Sequence, residues 1–243
     1  MIILRDEKRI ARYKAISQYT SLIGFLALMG GLAVAFLNVS NVFFYQFLAL
    51  TVGWLFSQIG LYLAHRYLRS PRPDEVLDQA LKKTARDGRL YHYLLPAPHV
   101  LLTPAGPIIL VAKYQSGHIT AQGDKWKQTA GPDAGPVKRF FAAMRRVFSQ
   151  EGLGNPSREA EAMVKALAGY LHKHAPQVEE VPIGALIVFT GKDSQFLDVN
   201  GSTIPAMHFS KLKGFLKQQG PGTPLPLETY EAIQSAFDKS IKF

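Results

Sequence analysis

Cysteine is absent from the 243 residues, which excludes a disulfide framework, a thiolate metal site and a cysteine nucleophile, and leaves the compartment open. Charge is absent from a long internal window: between Lys14 and Arg66 there is no Asp, Glu, Lys or Arg. Three catalytic signatures are also missing. There is no Gly-x-Ser-x-Gly elbow and no kinase motif set, and the loop Gly220-Pro221-Gly222-Thr223-Pro224 lacks the Gly-Lys-Thr ending of a phosphate-binding loop.

The charge-free window holds two predominantly apolar stretches, 20–37 and 42–63. At ~1.5 Å rise per residue each can cross a hydrocarbon core of ~30 Å. Residues 38–41 form a short connector, so the expectation is a tight antiparallel transmembrane hairpin. Two alternatives stand beside it: a pair of core helices in a large soluble protein, and a cleavable signal peptide ending at Ala33-Val34-Ala35. Arg5, Lys8, Arg9, Arg12 and Lys14 precede the first stretch, and Arg66, Arg69 and Arg72 follow the second. By the positive-inside rule both flanks and the remaining chain are expected in the cytoplasm, as parts of an integral membrane protein with two spans. Phe43, Phe44 and Tyr45 would mark the outer interface, and Tyr13, Tyr19, Tyr62 and Tyr67 the inner one. Asn38-Val39-Ser40 matches a glycosylation sequon but is read as the turn.

Small residues recur every four positions, as Ala27, Gly31 and Ala35 in the first stretch and Ala49, Gly53 and Ser57 in the second. Such stripes let helix backbones approach closely in lipid. Packing within the hairpin is the simpler use of them, and homo-oligomerisation the other. Gln58 is expected to hydrogen-bond across the hairpin or to a partner helix.

Residues 71–243 carry 21 basic and 16 acidic side chains, a mildly basic balance that attracts polyanions such as nucleic acid or anionic lipid. After the Pro-rich break at 69–73, the pattern predicts a helix over 74–86, with Asp74 and Glu75 favouring its dipole, and a strand over 90–95. Two apolar runs, 99–103 and 107–113, flank Pro104-Ala105-Gly106 and read as a buried hairpin. A short strand at 118–121 is followed by a Gly123-Asp124 turn into Lys125-Trp126-Lys127. Around 137–154, Phe140, Phe141, Met144, Val147 and Phe148 share one helical face, opposite Lys138, Arg139, Arg145 and Arg146. That face packs either on the domain or on an anionic leaflet. Asn155-Pro156 opens a helix to about 174, and 182–190 reads as a buried strand. Residues 196–199 and 203–207 read as a hairpin around Asn200-Gly201, and helices at 209–218 and 227–239 follow.

The run PHVLLTPAGPIILVAKYQSGHITAQGDKW, with the helix before it and the Asn-Pro helix and strand after it, resembles the nuclease-related domain (NERD) family of the PD-(D/E)XK nuclease superfamily. The resemblance covers roughly 74–216. It implies a restriction-endonuclease-like α/β (α+β) domain, a mixed sheet flanked by helices, behind the hairpin. The resulting organisation is 1–18 as a basic N-terminus, 19–68 as hairpin, 69–73 as linker, 74–220 as the NERD-like domain and 221–243 as a helical extension.

The resemblance also implies site positions. The family's hairpin Asp falls near Pro98, and Val111-Ala112-Lys113 stands where Glu-x-Lys belongs. Glu75 matches a helix Glu that can join the metal site, and serves equally as a helix-start acid. Asn155-Pro156 matches, but the Gln that often follows does not. One carboxylate and a lysine do not make a Mg²⁺ site, since a hard cation needs several oxygen ligands. His92, His99 and His118 are expected to be satisfied by hydrogen bonds rather than to bind metal. The expectation is therefore a catalytically degenerate, membrane-anchored domain without cofactor. It would bind nucleic acid or a protein partner, with Lys113, Lys125 and Lys127 as phosphate contacts. An active Mg²⁺-dependent nuclease with relocated ligands and a scaffold with no nucleic-acid role are the alternatives.

Overall fold

The structure, a computed structural model, describes residues 1–36, 41–82, 88–115, 117–129, 135, 137, 152–178, 181–191, 197–220 and 222–241. The chain divides into two units, one of Glu7–Arg72 and one that combines Met1–Asp6 with Pro73–Phe243.

The first unit is a helical hairpin of α1 (Glu7–Val34) and α2 (Val42–Leu63), the latter running into a π-helical turn, Ala64–Leu68. Both helices are long and apolar enough to cross a membrane. They bring large apolar side chains to the outside, among them Phe25, Leu26, Leu32, Phe43 and Phe47. The helix contact is built from small residues spaced by seven. On α1 the buried positions are Ile10, Ser17, Gly24 and Gly31, and on α2 Gly53 and Gly60 are buried. A Cβ at Gly24 would lie 2.6 Å from Ser57 Oγ, one at Gly31 2.6 Å from the Ala49 Cβ, and one at Gly60 2.2 Å from Ser21 Oγ. Ser17 donates to the Gly60 carbonyl at 2.9 Å. Close backbone approach therefore rests on glycine, with a serine hydroxyl satisfied by a backbone oxygen. Gly31, Ala49, Gly53 and Ser57 from the period-four stripes take part in this contact, whereas Ala35 is exposed. Gln58 is buried.

The second unit is mixed α/β. Its main sheet has six strands in the order β1-β2-β3-β4-β7-β9. These are β1 (Ile2–Arg5), β2 (Arg89–His92), β3 (His99–Thr103), β4 (Gly106–Lys113), β7 (Gly184–Phe189) and β9 (Ala206–His208). β1 pairs parallel with β2, β2–β3–β4 is an antiparallel meander, and β4, β7 and β9 are parallel. A second sheet, ordered β6-β5-β8, contains β5 (His118–Gln122), β6 (Lys125–Thr129) and β8 (Leu197–Gly201).

Side chains alternate across the main sheet, as the two-residue strand period requires. Tyr91, Val100, Leu102, Ile109, Val111, Ile187 and Phe189 form one core with Ala160, Leu167 and Leu171 of α4 (Pro156–His174) and Ile233 and Phe237 of α6 (Leu227–Asp238). Leu90, Leu101, Leu110, Leu186, Val188 and Met207 form the other core with Leu77 and Leu81 of α3 (Pro73–Leu81) and Leu212 of α5 (Phe209–Gln218). Burying such side chains contributes about 1.5–3 kcal/mol each, and the long apolar runs of β3 and β4 follow from being covered on both faces.

The structure departs from the sequence expectations at several points. Residues 2–5 are a strand of the domain, where no strand was read. The hairpin expected around Asn200-Gly201 does not form: β8 pairs with β5 and β9 pairs with β7, so the two strands belong to different sheets. β2 stops at His92 because Tyr93 takes a positive φ of 61°, which breaks the extended backbone. α3 is Pro73–Leu81, and the expected continuation over 83–86 lies outside the described residues. β6 is a strand where only a post-turn segment was read. The amphipathic stretch containing Lys138, Arg139, Phe140, Phe141, Met144, Arg145, Arg146 and Phe148 lies outside the described residues.

Candidate functional site

The strands that run in the same direction, β1, β2, β4, β7 and β9, all end on one side of the main sheet. There they place Arg5, His92, Lys113, Phe189 and His208 at their last positions. Carboxyl ends of parallel strands are where open α/β sheets present ligand sites. Two polar clusters occupy this end, one on each face.

The first surrounds Lys113. Because Ile109 and Val111 face the α4 core and Leu110 faces the other, Lys113 shares the α4 face by parity. Its Nζ donates to Glu159 Oε1 at 2.6 Å and to the Leu153 carbonyl at 3.2 Å. Val111 is buried among Phe189, Leu167 and other apolar side chains. Glu159 reaches Lys113 because α4 starts immediately before it. Asn155 caps the helix by accepting from the Arg158 N–H at 3.1 Å, and Pro156 occupies the first turn.

The same helix start docks the second sheet. Asn155 Nδ2 donates to the Asp124 carbonyl at 3.1 Å, and Trp126 Nε1 donates to the buried Ser157 Oγ at 3.0 Å. The Trp126 ring meets Phe189 with centroids 6.2 Å apart. The Gly123-to-Trp126 and Asn155-Pro156 features are thus two sides of one structural joint. Trp126 faces inward, and its neighbours Lys125 and Lys127 are exposed.

The second cluster lies on the α3 side. Asp74 is fully buried and pairs with Arg5, Nε to Oδ2, at 2.8 Å. Arg5 also pairs with Asp78, and Asp78 Oδ1 lies 2.9 Å from His92 Nε2. His92 Nδ1 is 2.8 Å from His99 Nδ1, so one of these nitrogens carries the shared proton and the other accepts it. The His99 ring stands at 5.0 Å from that of Tyr93. The Tyr93 N–H donates to the Pro98 carbonyl at 2.7 Å. His92 and His99 are hydrogen-bonded, while His118 lies in the second sheet.

Glu75 and Lys113 are not brought together. Glu75 stands in the first turn of α3, which covers one face of the sheet, and Lys113 is tied to α4 on the other. Among the described residues no group of three or more His, Asp or Glu side chains is placed to hold a metal ion. Sequence reasoning read Arg5 only as part of the basic flank and did not single out Asp78 or Glu159. The four-residue spacing of Asp74 and Asp78 puts both on one helical face and was a usable signal for an internal cation; nothing in the sequence paired Glu159 with Lys113. A separate cavity of about 540 Å³, lined by Leu101, Ile108, Leu186 and Phe215, opens at the opposite end of the strands.

Burial and a carboxylate also shape one group behind the α4 core. Tyr91 Oη donates to Asp238 Oδ1 at 2.8 Å, and Arg89 pairs with the same carboxylate at 2.7 Å. Burial, reinforced by the Asp238 charge, pushes the Tyr91 phenol well above its ordinary range.

Comparison with protein-family models, curated proteins and solved structures finds no match.

Proposed function

We propose that the chain is a membrane-anchored domain of nuclease-related, restriction-endonuclease-like fold that lacks metal-dependent cleavage and binds nucleic acid at the cytoplasmic face of the membrane. The observation that carries this is Lys113: it is held by Glu159 and the Leu153 carbonyl, with buried Val111 where a carboxylate ligand is required. Without clustered carboxylates among the described residues, neither a metal-activated water nor charge stabilisation at phosphorus is supplied there. The order of elements supports the fold: an opening helix α3, the β3–β4 hairpin ending in Lys113, the turn to Trp126, the Asn155-Pro156 helix and the buried strand β7.

Membrane anchoring is supported by the apolar exteriors of α1 and α2. Residues Met1–Asp6 belong to the same unit as Pro73–Phe243, so both ends of the hairpin enter one folded body and an even number of crossings fits. The basic flanks favour the cytoplasm for that body. Residues 2–5 also speak against signal cleavage, because the sheet retains them.

Lys125 and Lys127, exposed on the edge strand β6, are the phosphate contacts. The test is fluorescence anisotropy of labelled duplex DNA and RNA against the detergent-solubilised full chain, over a salt series. Replacing both lysines by alanine should weaken binding and lower the slope of log K on log salt by about 1.8, roughly 0.9 for each phosphate contact on duplex DNA. Salt-independent binding, or none, would favour a protein-binding scaffold. The active-nuclease alternative has one observation behind it: Glu159 is a carboxylate beside Lys113 on the face where Val111 supplies none. It requires Glu159 to act as a relocated ligand.

A further inference from the structure

Residues 7–72 contain seven basic side chains, Lys8, Arg9, Arg12, Lys14, Arg66, Arg69 and Arg72, and one acidic, Glu7. All eight lie at the same end of the hairpin, where α1 begins and α2 ends. That end also has a defined aromatic arrangement. Tyr13 and Tyr67 stack across the two helices, with centroids 5.0 Å apart and planes 16° from parallel. The Arg9 guanidinium lies 5.8 Å from the Tyr13 ring centre, and the Arg66 guanidinium 4.5 Å from that of Tyr62. Tyr67 is buried within the π-helical turn, a departure from regular helix that brings its ring onto Tyr13.

We infer that Arg9 and Arg66, each seated on a tyrosine ring, form a binding site for the phosphate headgroup of an anionic phospholipid. A guanidinium stacked on an aromatic ring uses its face, while its five N–H donors lie in its plane and fit a phosphate bidentately. Stacking restricts a long side chain before the ligand arrives, so less rotamer freedom is lost on binding. Depth fits as well. Arg66 ends the charge-free window, and Arg9 lies five residues outside it, roughly 8 Å along a helix at ~1.5 Å per residue. The headgroup layer on each side of the hydrocarbon core is of about that thickness. The exposed ring of Tyr62 gives the lipid glycerol region an amphipathic wall. This site rests on the spanning hairpin of the proposed function and adds a lipid class to it.

The test is native mass spectrometry of the full chain released from mixed vesicles of phosphatidylglycerol and phosphatidylcholine, after alkaline carbonate washing. Wild type should remain with the vesicles and retain phosphatidylglycerol in preference. Arg9→Gln and Arg66→Gln should each lower the ratio of retained phosphatidylglycerol to phosphatidylcholine by about fivefold. Arg12→Gln, which removes an unstacked charge, should change it little. Tyr62→Leu should weaken retention and Tyr62→Phe preserve it, because only the ring face is needed. Release of the chain by carbonate would overturn the spanning hairpin and the site together. A chain that stays but shows no lipid preference, or whose preference falls equally with Arg12→Gln, would overturn the site alone.

Discussion

Arg5 holds the fully buried Asp74 at 2.8 Å, and in doing so joins the two points where the helical hairpin leaves the sheet domain. Arg5 is two residues ahead of α1, and Asp74 is two residues past Arg72. Removing the cation would take the Arg5 ion pair away from the buried Asp74 carboxylate. Arg5→Ala should therefore destabilise the domain by about 3–5 kcal/mol, more than a surface pair could. Denaturant unfolding of the full chain in detergent measures this. The double change Arg5→Met with Asp74→Leu should recover much of the loss, whereas a loss below 1 kcal/mol in Arg5→Ala would show that the pair is expendable.

The glycines of α1 should respond unequally. At Gly24 an added Cβ meets the Ser57 backbone nitrogen at 2.8 Å and the Gly53 carbonyl at 3.0 Å, and neither can move without separating the helices. At Gly30 nothing lies within 4 Å. Gly24→Ala should lower hairpin stability by about 1–3 kcal/mol, and Gly30→Ala should leave it unchanged or raise it slightly. Thermal unfolding in detergent reads both, and equal responses would contradict the packing described.

The absence of cysteine makes topology directly measurable. Single cysteines at Asn41 and Ser202 should label from opposite sides of a sealed membrane, with Ser202 on the cytoplasmic side. Labelling of both from one side would remove the two-span hairpin.

Alkaline pH should act through Tyr91. Its phenol is pushed above the ordinary value of about 10, chiefly by burial and then by Asp238. The folded state keeps this proton where the unfolded state has released it. The contribution to stability is full below pH ~10 and declines as pH rises beyond it. In a pH series followed by phenolate absorbance, the Tyr91 signal should appear with unfolding and not before. Tyr91→Phe should flatten the alkaline slope, and an unchanged slope would contradict this assignment.

Local pattern carried the sequence reading where contacts are local. The β3–β4 hairpin, the start of α4 at Asn155-Pro156 and the span of α2 follow from apolar runs, turn residues and capping, each legible within ten or twenty residues. What failed was pairing at a distance. Ile2–Arg5 has no strand signal beyond two isoleucines, and it becomes a strand by pairing with residues 89–92. Asn200-Gly201 is a strong hairpin signal, yet β8 and β9 find partners in different sheets, so tertiary contacts override the turn. In the hairpin the small residues were noticed at spacing four, but two helices packed side by side use spacing seven. At the site, Lys113 and the absence of an acid at Val111 were visible in sequence. That Glu75 and Lys113 belong to opposite layers was not, because only strand parity and the packing of α3 and α4 decide it.

The most direct measurement is a cleavage assay on the purified full chain with single- and double-stranded DNA and RNA, in Mg²⁺ and in Mn²⁺. Lys113→Ala, Glu159→Gln and Glu75→Ala serve as matched controls. A domain whose Lys113 is committed to Glu159 beside Val111 should show no metal-dependent cleavage above the level of all three variants. Cleavage that requires the metal and is abolished by Glu159→Gln or Lys113→Ala would contradict the account and place a working active site on the α4 face.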